Sequence, residues 1–145
     1  MAAECPEWPI ERIEDGDWLY RRVPPVFIKP DGTLSDKLFM RNSEANRNKR
    51  EPDPDISVDW DRYVTPEQSL EIAGRPTHGI CGLQAIAPRF LDLSVTHTPD
   101  TARGNRAHAS IRGNEGPRAK QRCYLLAEAA SRHVLIVPTR DVRAP

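Results

Sequence analysis

Arg106-Ala-His108-Ala-Ser110-Ile-Arg112-Gly113 opens the part of the chain that decides the fold class. Read as a strand, it puts Ala107, Ala109 and Ile111 on one face and His108, Ser110 and Arg112 on the other. The turn Gly113-Asn-Glu-Gly116 follows, and Pro117 then opens the strongest helical pattern in the sequence. Ala119, Cys123, Leu126, Ala127 and Ala130 trace one helical face, so a helix is expected over about 117–131. After Arg132-His133, the run Val134-Leu-Ile-Val137 is too short for a helix and is stopped by Pro138, which predicts a buried strand. Strand, long helix and strand in succession give the chain both kinds of element.

Upstream, the signals are mostly of strands and turns. Trp18-Leu-Tyr-Arg-Arg-Val23 reads as a strand, and Val26-Phe-Ile-Lys29 as another that ends in Pro30-Asp-Gly-Thr33. Pro presets φ and Gly accepts positive φ, so that tetrapeptide is a turn. Leu34–Met40 reads as a helical turn or a returning strand. In Ile56-Ser-Val-Asp-Trp60 apolar and polar residues alternate, which predicts a strand with Ile56, Val58 and Trp60 inward. Thr65-Pro-Glu-Gln68 has the residues of a capping box with Pro at the first helical position, and Gly74 is placed to end that helix. Gly79–Ile86 reads as a buried strand, because two glycines there disfavour a helix. Pro88–Leu93 suggests one helical turn, Leu93–His97 a strand and Thr98–Asn105 a loop. The expected fold is α+β: a mixed or mostly antiparallel sheet of about five to six short strands, with the long helix and one or two short helices packed on one face.

At 145 residues the chain suits a single domain. The expected organisation is an acidic arm at 1–17, one domain over 18–140 with a mobile polar loop at 41–55, and a tail at 141–145. Twenty-one basic residues balance 21 acidic ones, which argues against a general nucleic-acid coat. Cys5, Cys81 and Cys123 are odd in number and widely spaced, pointing to a reducing compartment such as the cytoplasm. No signal peptide and no membrane-spanning run are read, and no cofactor is implied.

The row His108, Ser110, Arg112 is the first place to look for chemistry. Arg would hold an anionic oxygen, Ser would donate to it, and His would move a proton near neutral pH. The glycine turn leads into a helix start carrying Arg118 and Lys120, and helix N-termini favour anions. Arg106 adds to a local excess of six basic residues over one acidic residue between Thr101 and Arg122. A second basic cluster is Arg41, Arg47, Lys49 and Arg50. His108-x-Ser110 resembles half of the signature of the two-histidine phosphoesterases. The second half is missing: His97 is followed by Thr98-Pro99, and His78 by Gly79-Ile80. Gly113-Asn-Glu-Gly116 resembles the Gly-x-x-Gly loop of KH domains, but it follows a strand pattern and carries Glu115.

Other chemistry is less supported. Cys81 and Cys123 sit in apolar settings with no activating neighbours. No nucleophile elbow, phosphate loop or dinucleotide fingerprint occurs. Asp53, Asp55, Asp59 and Asp61 read as the outer charges of one strand rather than as a metal site, and no metal is expected. These absences, with a modest core and alternating charge blocks, favour a binding or accessory protein that docks a protein partner. The rival expectation is a phosphate-directed enzyme acting on nucleotides or nucleic acid through His108, Ser110 and Arg112. A third is nucleic-acid binding through 41–50 and 103–122.

Overall fold

The computed structural model describes residues 7–40 and 55–139. Cys5, the basic cluster Arg41, Arg47, Lys49 and Arg50, and the tail 141–145 lie outside them. The described chain forms one six-stranded sheet with three α-helices and two 3-10 turns. The strands are β1 (Trp18–Val23), β2 (Asp55–Trp60), β3 (Gly79–Gln84), β4 (Ser94–His97), β5 (His108–Arg112) and β6 (Val134–Ile136). The helices are α1 (Pro66–Ala73), α2 (Ile86–Phe90) and α3 (Ala119–Ser131). The sheet order is β4-β5-β2-β1-β3-β6, and every pairing among the described residues is antiparallel. The α+β expectation is therefore met, with the long helix at the expected place.

Alternation sets the two faces of this sheet. Leu19, Val23, Ile56, Val58, Trp60, Cys81, Leu83, Ala109 and Ile111 point to the core side. There α3 buries Cys123, Leu126, Ala127 and Ala130, the stripe read from the sequence. Phe39 and Leu38, from the 3-10 turn Asp36–Phe39, complete that layer. The other face is polar, and α1 lies across part of it: Ser69 of α1 bonds both Arg22 and Asp59. The capping box of α1 forms as expected, and Gly74 closes the helix in the left-handed conformation. No described helix is long and apolar enough to cross a membrane.

Three local expectations change. The strand expected at Val26–Lys29 is a 3-10 turn over Pro25–Phe27, followed by one bridge between Ile28 and Leu34. Pro24-Pro25 is the cause, since proline has a fixed φ and no N–H for a ladder. The Pro30–Thr33 turn does form, with the Thr33 amide and hydroxyl donating to Asp31. Val134–Ile136 forms a strand, but at the sheet edge rather than buried, and Leu135 and Val137 are exposed. Residues 7–17 of the expected acidic arm are held to the sheet. Ile13 enters the core, and the Trp60 indole donates to Asp17.

Gly79 is required by close approach rather than by its dihedral angles. A Cβ there would stand 2.2 Å from the Ile136 carbonyl oxygen and 2.6 Å from Pro138 Cδ. Gly79→Ala is expected to destabilise the fold by about 1–3 kcal/mol, because the backbone of β6 must move. A lowered urea midpoint with an unchanged slope checks this.

Candidate functional site

The row on β5 lands on the polar face as its alternation predicts, but its members part company. Ser110 is buried. The Thr98 hydroxyl lies 2.9 Å from both His108 Nδ1 and Ser110 Oγ. The His108 Nδ1–H has the Thr98 carbonyl at 2.9 Å to donate to, which leaves Nε2 for the cleft the ring lines. Arg112 turns to Asp55 at 3.1 Å, on the neighbouring strand. So His108 and Ser110 share one hydroxyl, while the guanidinium serves a surface ion pair.

The remaining basic residues of the sequence reading scatter. Arg106 stacks on Tyr63, its guanidinium carbon 4.3 Å from the ring centroid, with Glu11 at 3.8 Å. The Tyr63 hydroxyl donates to Glu11 and holds that carboxyl below its ordinary range, helped by Arg62 and Arg106. Arg118 and Lys120 are exposed at the start of α3, and neither lines the cleft that holds His108. Arg122 donates to the Glu115 carbonyl. The positive charge of 103–122 is therefore spread over several surfaces rather than gathered on one.

His97 faces the core. The Glu11 amide donates to its Nδ1 at 3.0 Å, so its Nε2–H donates to the Arg106 carbonyl at 2.6 Å. Both ring nitrogens are engaged, and the ring packs edge-on against Trp60. This histidine fastens the N-terminal segment to the sheet. Burial pushes the Cys81 thiol up to about 12 and also raises that of Cys123, so neither is a ready nucleophile. Among the described residues no group of three His, Cys, Asp or Glu side chains is placed to hold a metal ion.

What the structure builds on the polar face is a cleft of about 520 Å3. Its origin lies in the sheet. β1 pairs with β3 along all six residues, but with β2 only at Leu19 and Tyr20. Beyond Tyr20 no β1–β2 pairs form, and Arg21 bridges, donating to the Ser57 and Leu38 carbonyls. Arg22, on the opposite face, donates to Asp59 at 2.8 Å and to the Ser69 carbonyl at 3.1 Å. Asp59 is only 2% exposed, and it also accepts from Ser69 and Asn105. The outer charge read from alternation is thus a buried anchor for α1, β1 and the loop before β5.

Around this anchor the cleft gathers His78, His108, Arg75 and Arg103. His78 Nδ1 is buried without a hydrogen-bond partner. Burial, with Arg75 and Arg22 nearby, pushes the His78 pKa down. Sequence reading missed Arg22, Arg75 and Asn105. The one available signal was Arg21-Arg22 inside a strand, since successive residues face opposite sides and one guanidinium must reach inward.

A second feature lies on the other side of the sheet. α2 and α3 flank an apolar groove of about 590 Å3, lined by Ile86, Ala87, Phe90, Leu91, Leu125 and Ala129. Phe90 is 84% exposed, Ile86 44% and Leu125 38%. Comparison with known protein families, with characterised proteins and with solved structures finds no match to this chain.

Proposed function

We propose that this chain works by binding, as an accessory subunit that docks a protein partner through the α2–α3 groove. The observation that carries this reading is Phe90, an aromatic ring left almost wholly in solvent beside Ile86 and Leu125. Clustered exposed apolar side chains mark interaction surfaces, and aromatic anchors dominate interface energies. Glu128 and Arg132 border the groove and supply a polar rim. The two described cysteines are free, which suits a reducing compartment such as the cytoplasm.

The enzyme reading has weaker support. His108 and Ser110 meet at Thr98, but Arg112 is drawn off to Asp55, and the His108 nitrogen beside the Thr98 hydroxyl carries its proton toward the Thr98 carbonyl, so it is not a base for that hydroxyl. Nucleic-acid binding through 103–122 is weakened by the dispersal of those arginines.

The test is recovery of the partner under native conditions, followed by affinity measurement with Phe90→Asp. Loss of a hot-spot aromatic weakens binding by at least about thirtyfold. The thermal midpoint should not change, because Phe90 buries little. Full affinity in Phe90→Asp, or a wild-type chain that recovers no partner, overturns the docking role.

A further inference from the structure

The cleft between β1 and β2 has a chemistry that the docking role does not use. Four arginines and two histidines line it against a single carboxylate, Asp100. Arg21 and Arg22 are held by the protein's own acceptors. Arg103 reaches Asp100 only at 3.8 Å and is largely in solvent. Arg75 meets no carboxylate among the described residues. The cleft therefore carries an uncompensated positive charge, concentrated between low-dielectric walls.

A second observation is independent of that charge. The His78 ring lines the cleft, and its Nδ1 is shut off from solvent by the protein and bonded to nothing in it. Leaving a buried polar nitrogen unpaired is costly, and native structures rarely do so without a use. The lining also has an apolar part: Pro24, Phe27, Leu38, Ile72 and Ala73. Basic and apolar groups together suit a ligand with a charged head and an organic body.

We propose that this cleft binds a small phosphomonoester. Arg75 and Arg103 hold the phosphate, His108 Nε2 bonds one of its oxygens, a turn of the His78 ring brings its Nδ1 to another, and the organic body rests on Phe27 and Ile72. A phosphate dianion offers three terminal oxygens to this many donors, where a carboxylate offers two. The volume is within the range of small-molecule sites and too small for a folded partner. The proposal is independent of the α2–α3 groove, which lies on the other side of the sheet.

The experiment is a titration of the full chain, followed by the NMR signals of its histidine rings and by calorimetry. The probes are inorganic phosphate, phenyl phosphate and a short single-stranded RNA without a terminal phosphate. Phenyl phosphate should saturate, shift the His78 and His108 ring signals, and raise the titration point of His78. It should bind about tenfold more tightly than inorganic phosphate, because the ring buries apolar surface. Arg75→Glu should weaken it at least about tenfold, since a charge-assisted hydrogen bond is lost. Arg75 is exposed and holds no other element, so the melting temperature of that variant should match the parent. Arg12→Glu, the same charge change elsewhere, should leave the affinity intact. Three results overturn the proposal: no saturable shift at either histidine, equal affinity in Arg75→Glu, or RNA binding as tight as phenyl phosphate.

Discussion

Asp59→Ala is expected to lower the unfolding free energy by about 3–5 kcal/mol, as breaking a buried ion pair from one side does. Asp59 is where three parts of the chain meet. Arg22 comes from β1, Ser69 from α1 and Asn105 from the loop before β5, and each donates to its carboxylate. Removing the acceptor leaves a largely buried guanidinium without its counter-charge and two further donors unsatisfied. Asp59→Asn separates charge from shape. Its amide oxygen still accepts from Asn105 while the charge facing Arg22 is gone, so its loss should fall between those of wild type and Ala. Urea unfolding measures both variants, and a loss under about 1 kcal/mol in Asp59→Ala would show that Arg22 simply turns to water.

The second large effect is expected at Trp60. Its indole is buried, packs edge-on against Tyr63 and His97, and donates through Nε1 to Asp17 at 3.2 Å. Trp60→Ala should cost about 3–5 kcal/mol, from lost transfer energy and from the cavity left behind. Its effect should also reach the N-terminal segment, because His97 holds the Glu11 amide and stands against Trp60. Amide exchange at Glu11 should therefore accelerate more than exchange within β3, which pairs on the far side of β1. Trp60→Phe keeps a ring but loses the donor, and should cost less than Trp60→Ala. Unchanged protection at Glu11 in Trp60→Ala would show that the segment is held without Trp60, by Ile13 in the core and by the Tyr63 and Arg89 bonds to Glu11, Ile13 and Asp15.

The apolar groove and the cleft were legible to different degrees. Leu125 beside Leu126 widens the apolar face of α3 in the sequence, and helical spacing alone shows that the pair cannot both face the sheet equally. Phe90 gave no such sign, because a five-residue helix is too short to define a face. The cleft was harder still. Arg22 and His108 lie on two strands, Arg75 just past α1, and His78 and Arg103 in loops, and no spacing along the chain links them. His108 lines that cleft, but its expected companions do not follow it there. Arg112 lies four residues on and shares its face, yet Asp55 is the register partner of Arg112 on β2 and holds its guanidinium.

By itself the sequence determined the α+β class, the strand and helix order apart from Val26–Lys29, the capping box at Thr65, the closure at Gly74 and the buried stripe of α3. All of these rest on local rules: alternation, helical period, proline geometry and glycine freedom, which act within a few residues. Only the tertiary structure decided the order of strands in the sheet, the burial of Asp59, the edge position of Val134–Ile136 and the parting of β1 from β2. Those depend on pairing between distant segments, where each charge is settled by whichever opposite charge the register brings within reach. A carboxylate such as Asp59 reads as surface until Arg22, 37 residues away in the chain, is placed beside it.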